Sequence, residues 1–148
     1  MNLTIDIADL KSATREMTWK GIVDDINLHT RYYGGPPFLT GSYVYGKLND
    51  ESDLDLVVPM SRSAAEKLSK MSDASRDQRF YKYSNSGDMV SLRFGMLNVL
   101  AVFSKSIYEG WEASTQMCIA LKMTNKRPIT HDEAVEVFKS VFAARGLT

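Results

Sequence analysis

Residues 53–58 read Asp-Leu-Asp-Leu-Val-Val and stop at Pro59. No other stretch restricts the fold as much. Alternation of acid and branched apolar side chains has the two-residue period of a strand, and proline closes it because it offers no backbone N–H to a ladder. Side chains at i and i+2 leave a strand on one face, roughly 6.5–7 Å apart along it. Asp53 and Asp55 therefore share a face, while Leu54 and Leu56 point the other way, into a core. Two carboxylates so close repel each other, and a fold tolerates them where water or a cation lies between. Oxygen donors of this kind suit Mg²⁺, which takes one or two protein carboxylates and completes its shell with water and substrate phosphates. Taken by itself, the alternation fits an ordinary half-buried strand with a solvated face equally well.

The weight comes from what lies upstream. Leu39-Thr40-Gly41-Ser42 precedes Asp53 by a spacer of ten residues. Glycine lets backbone approach a ligand with no Cβ in the way. Backbone N–H groups at Gly41 and Ser42, with the Ser42 hydroxyl, suit the terminal phosphate of a nucleoside triphosphate. Gly-Ser without the acids would be only a turn.

The rest of the chain alternates helix-like and strand-like stretches. Ile5 and Ile7 suit a short strand or an arm. From about 12 to 33 the pattern is helical, with Trp19, Ile22, Val23, Ile26 and Tyr33 on one face, ended by Gly34-Gly35-Pro36-Pro37. Residues 38–40 follow as a strand, and 43–52 are polar and turn-rich. Ser63-x-x-Glu66 reads as a capping box opening a helix to about Met71, with polar loop over 72–79. Residues 80–83 and 89–94 read as a hairpin about Gly87, and 97–103 as a further strand. Ser106-x-x-Glu109 and Thr130-x-x-Glu133 each read as the capping box of a closing helix. In the first, Ile107, Trp111, Cys118 and Lys122 share a face with Tyr108, Thr115 and Ile119 beside it; in the second, Ala134, Val135, Phe138, Val141 and Phe142 form a stripe, with Gly146 past its end. The order is α+β: one sheet of about five strands covered by helices, in one domain over 1–148.

The spacing of Gly41-Ser42 and Asp53-Leu54-Asp55-Leu56 closely resembles the signature of the nucleotidyltransferase superfamily. That signature is an apolar residue, Gly-Ser or Gly-Gly, a short spacer, and Asp-x-Asp between apolar residues. The small size and a helix before the Gly-Ser strand look like the minimal nucleotidyltransferases. The downstream run from Leu92 to Phe103, with Tyr108-Glu-Gly-Trp111, is similar to small nucleotidyltransferase-like proteins of bacteriophages. The resemblance spans about residues 12–123. It implies a DNA polymerase beta-like fold with a short mixed sheet and the site at one edge. It also implies Asp53 and Asp55 as catalytic metal ligands for Mg²⁺ (or Mn²⁺), Gly41 and Ser42 as nucleotide-binding residues, and an NTP, ATP foremost, as donor. The activity implied is transfer of a nucleoside monophosphate to a hydroxyl of a small molecule, an RNA end or a protein. Relatives of this size often need a second domain or subunit to complete the cleft, which implies a homodimer or a partner subunit.

One position departs from the pattern. Many members carry a third carboxylate on a later strand, and here Leu97-Asn98-Val99 puts Asn98 in that place. Asparagine offers a neutral carbonyl oxygen but accepts no proton as a carboxylate does. Asp88, in the expected hairpin turn, is a weaker substitute. This keeps open a catalytically impaired binding module for a nucleotide or a host protein, or a toxin–antitoxin component. Arg93 reads as an exposed arginine before it reads as a phosphate contact. Lys47 reads as a solvated loop lysine, Tyr43 and Tyr45 as packing, and His29 and His131 as structural or exposed.

Composition narrows the remaining classes. The single cysteine excludes an internal disulfide and a Cys-based zinc cluster. Eighteen basic and eighteen acidic residues leave no net charge to draw the chain onto a long nucleic-acid track. No apolar run approaches the roughly 18–20 residues that span a bilayer, and the first residues lack a signal-peptide pattern. A cytoplasmic location, away from membranes, is the expectation.

Overall fold

The computed structural model describes residues 35–47, 53–78 and 89–147. Along the chain come β1 (Phe38–Thr40), α1 (Ser42–Tyr45), β2 (Leu54–Pro59), α2 (Arg62–Ser69), β3 (Ala74–Gln78), β4 (Met89–Phe94), β5 (Leu97–Val102), α3 (Lys105–Asn125) and α4 (His131–Ala144). The strands form one five-stranded mixed sheet in the order β1-β2-β5-β4-β3. β2 and β5 run parallel, and the other neighbours are antiparallel. This is the α+β arrangement expected: a short mixed sheet covered by helices.

β2 and β5 are the central strands and are nearly continuous in apolar residues, as strands buried on both faces must be. One face of the sheet presents Leu56, Val58, Leu92, Phe94, Leu97, Val99 and Ala101, and α2 covers it with Ala64, Ala65 and Leu68. The opposite face presents Phe38, Val57, Met89, Leu100 and Val102 to α3 and α4. Trp111 of α3 meets Phe138 of α4 edge-on, with ring centroids 4.8 Å apart. Tyr108 packs edge-on against Phe38 at 5.4 Å and donates its hydroxyl to the Pro36 carbonyl at 2.8 Å. Burial, with Glu112 adding to it, pushes that phenol up to about 12. Cys118 is buried packing as anticipated, and burial pushes its thiol up to about 11. No helix among the described residues is long and apolar enough to cross a membrane.

Several expectations are corrected. The outer partner of β4 is 74–78, where a polar loop was expected; Ala74 pairs with Arg93 and Gln78 with Met89. An edge strand needs no apolar stripe on each side, and polar edges blunt further pairing. Ser42–Tyr45 makes a single helical turn inside a stretch expected to be only turns. Two helices start earlier than their apparent capping boxes. The hydroxyl of Ser61 caps α2 by accepting from the Ala64 N–H, and that of Ser104 caps α3 by accepting from the Ile107 N–H. Each of these serines is extended where its helix opens, which is the backbone an N-cap needs. The box at Thr130 and Glu133 is present with both of its bonds. The expected strand or arm at Ile5 and Ile7, the helix over about 12–33, the strand at 80–83, the Gly87 turn, Asp88 and His29 lie outside the described residues.

Candidate active site

Sheet register assembles the site. Thr40 pairs with Asp55, Asp55 with Asn98, and Asn98 with Arg93, so four polar residues from β1, β2, β5 and β4 form one row across the sheet. The neighbouring row on the same face, Phe38, Val57 and Leu100, is apolar and buried. The polar row therefore marks where the core beneath α3 gives out. Thr40 is 1% exposed and its hydroxyl bonds to that of Thr115 on α3 at 2.7 Å, which ties the row to the helix above.

Gly41 joins the two halves of the motif. Its φ of 76° with ψ of −165° lies in a region reserved almost entirely for glycine. A Cβ at this position would stand 2.3 Å from Oδ2 of Asp55. Glycine is thus required twice, for backbone shape and for the space the carboxylate occupies. Directly after it, α1 turns back on itself: Val44 and Tyr45 donate to the Gly41 carbonyl at 3.0 and 3.2 Å. The turn is pinned from outside, because Ile129 donates to the Tyr45 carbonyl at 2.7 Å and Lys122 Nζ to the Val44 carbonyl at 3.2 Å. Ser42 opens this turn, where the first N–H groups find no acceptor within the helix.

The two acids live differently. Asp53 stands just before β2, and Arg93 holds it with a fork: Nη1 to Oδ1 at 2.8 Å and Nη2 to Oδ2 at 2.9 Å. The pair is about two-fifths exposed, at 42% for Arg93 and 38% for Asp53. Asp53 holds the Arg93 guanidinium above its usual range. Asp55 lies deeper. Burial raises its carboxyl above the usual range, the Asn98 hydrogen bond opposes this, Asp53 raises it further and Arg93 lowers it.

Asn98 donates from Nδ2 to Oδ1 of Asp55 at 2.9 Å and accepts at Oδ1 from the Ser91 hydroxyl. An ionised carboxylate only accepts, so the amide nitrogen must face Asp55 and its oxygen must face Ser91. Asn98 is thereby a positioning residue for Asp55. Its carbonyl oxygen, the atom a metal would use, faces Ser91 and not Asp55.

The structure brings Gly41, Asp55 and Asn98 together and keeps Asp53 beside them through Arg93. Sequence reasoning treated Arg93 as an exposed residue and passed over Ser91. A signal for both was present. Gly95-Met96 is a two-residue turn with φ of 63° at Gly95, and such a turn fixes residue 93 opposite 98.

The donor set fits a hard divalent cation in kind: two carboxylates, the number that a cation carried with substrate phosphates takes from protein. Among the described residues, no group of three or more His, Cys, Asp or Glu converges. Asp53 has both oxygens on Arg93.

One comparison with known proteins finds a match. Residues 30–92 match a protein family described as the nucleotidyltransferase domain. The matched stretch carries Gly41, Ser42, Asp53 and Asp55 and ends before Asn98, and it supports the likeness to the nucleotidyltransferase superfamily. No curated protein and no solved structure matches the chain.

Proposed function

We infer that nucleotidyl transfer is the general activity, a reading supported by the match of residues 30–92 to the nucleotidyltransferase domain. We propose, more specifically, that the protein moves a nucleoside monophosphate from an NTP, ATP foremost, to a hydroxyl acceptor, with Mg²⁺ or Mn²⁺ held by Asp53 and Asp55. The acceptor hydroxyl gives up its proton to solvent as its oxygen bonds to the α-phosphorus, the bond from that phosphorus to the oxygen bridging to the β-phosphate breaks, and pyrophosphate leaves. A divalent cation, when bound, supplies positive charge against the charge that builds on the transferring group. The chain's own residues do the rest. Gly41 and Ser42 hold phosphate, Asp55 is fixed by Asn98, and Asn98 is itself fixed by Ser91.

The observation that carries this reading is the close approach of Gly41 to Asp55. The phosphate-binding half and the acidic half of the motif meet at one point of the sheet, leaving no room for a Cβ between them.

The test is incubation of the protein with each α-labelled NTP, Mg²⁺ or Mn²⁺, and a cell lysate as the source of acceptor. The expected result is a labelled product with release of pyrophosphate, lost in Asp55→Ala while the variant's melting stays cooperative. Metal-dependent nucleotide binding by calorimetry with no label transferred would replace this reading with a binding module.

A further inference from the structure

The Arg93–Asp53 fork and a divalent cation compete for the same carboxylate. Both oxygens of Asp53 accept from the one guanidinium, at 2.8 and 2.9 Å. A cation bound to those oxygens would face a positive charge close by, so each weakens the hold of the other. Neither is the fork accidental. The turn at Gly95-Met96 sets Arg93 opposite Asn98, and Asn98 sits opposite Asp55, so the sheet itself aims the guanidinium at the acidic pair.

The fork is also releasable. Arg93 keeps 42% of its side-chain surface in water, so it can swing off Asp53 without burying its charge. Ion pairs this exposed are weak. Asp55 differs on this count: its partner Asn98 is neutral, lies within a buried strand and is itself held by Ser91.

We propose that Arg93 is a built-in counter-ion for the acidic pair, which a divalent cation displaces from Asp53 as that carboxylate comes to ligate. This rests on the reading of Asp53 and Asp55 as a cation site. It adds a role for Arg93: in the resting protein the guanidinium offsets one negative charge of the pair, and its release sets how tightly the cation is held. Arg93 is then a positioning residue that acts through Asp53.

The experiment uses the full chain and Mn²⁺ alone. Binding is followed by electron paramagnetic resonance in the native protein, Arg93→Gln and Arg93→Met, two variants so that one misfolding does not end the test. The expected result is tighter binding in the variants, by about fivefold, the scale on which an exposed ion pair competes. In native protein, saturating Mg²⁺ should also shift the Arg93 Nε–H resonance, assigned by its loss in Arg93→Gln. Equal Mn²⁺ affinity in native protein and variants would overturn the proposal and leave the cation site standing. A resonance unmoved by Mg²⁺, with the variants binding tighter, would also overturn it, because the arginine would then act only through its field. No Mn²⁺ binding by any of the three would remove the cation site, and the proposal with it.

Discussion

The two faces of the sheet are built from the same strands and do different work. Beneath α2 the face is apolar along its length, from Leu56 and Val58 to Leu97, Val99 and Ala101. Beneath α3 and α4 it begins the same way, with Phe38, Val57 and Leu100, and then turns polar in the row of Thr40, Asp55, Asn98 and Arg93. The first face gains only by excluding water. The second gives up apolar burial at one end and satisfies the polar groups with one another, since burying such groups unpaired is costly. Stability and site chemistry are therefore separable by face, and substitutions on each should read out differently.

The largest effect belongs to the apolar face. Phe94 is fully buried under α2. Phe94→Ala should cost about 3–5 kcal/mol through lost burial and the cavity it leaves. In a chain this size that lowers the melting temperature by about 10 °C, which calorimetry will read. The Mn²⁺ affinity of the folded fraction should stay where it was. A folded fraction that binds no cation would show that the two faces are coupled.

Next comes Gly41, where shape and site meet. Gly41→Ala forces a non-glycine residue into a glycine-only region, at a cost of order 1–3 kcal/mol, and drives its Cβ into Asp55. Gly146→Ala is the matched control, since Gly146 also has positive φ but lies past the end of α4 with open space where a Cβ would stand. Urea titration should find both destabilised, with cation binding lost only in Gly41→Ala. Loss in both would mean that backbone strain anywhere in the chain disturbs the site.

Much of this contrast was readable beforehand. The expected strands at 38–40, 89–94 and 97–103 form at 38–40, 89–94 and 97–102, because their apolar side chains pack faces that must exclude water. Asp53, Asp55, Gly41 and Ser42 were legible because spacing along the chain carries their relation. β3 was not, since Ala-Ser-Arg-Asp-Gln has no branched or aromatic residue and its strand form comes from the Met89–Phe94 edge beside it. The false capping boxes at Ser63 and Ser106 share a cause: a second serine two residues earlier offers the same hydroxyl, and the spacing rule cannot rank them. The partnership of Arg93 with Asp53 spans forty residues, and it exists only once the hairpin and the parallel β2–β5 pair are both in register.

The finest comparison sets two carboxyls against each other by pH. Glu133, at the start of α4, accepts the Arg127 fork at 2.8 Å through both oxygens, and the Thr130 N–H at 3.1 Å. The Arg127 bonds first, then those with Thr130, hold its carboxyl at about 2. A lowered acid stabilises the fold above its unfolded value, and that contribution is lost as pH falls through the folded value. The stability gap between native protein and Glu133→Gln should therefore close between about pH 4.5 and pH 2. Asp55 has the opposite sign. With burial the leading cause, its folded value is raised, so the folded state holds the proton more tightly and stability falls as pH rises through that range. In metal-free buffer Asp55→Asn should be more stable than native protein near neutral pH, and the two should converge as pH falls toward about 4. Urea midpoints across the acid range measure both slopes. An Asp55→Asn gap that widens on acidification would mean that the Asn98 amide outweighs burial at Asp55, and the polar row would then be a source of stability.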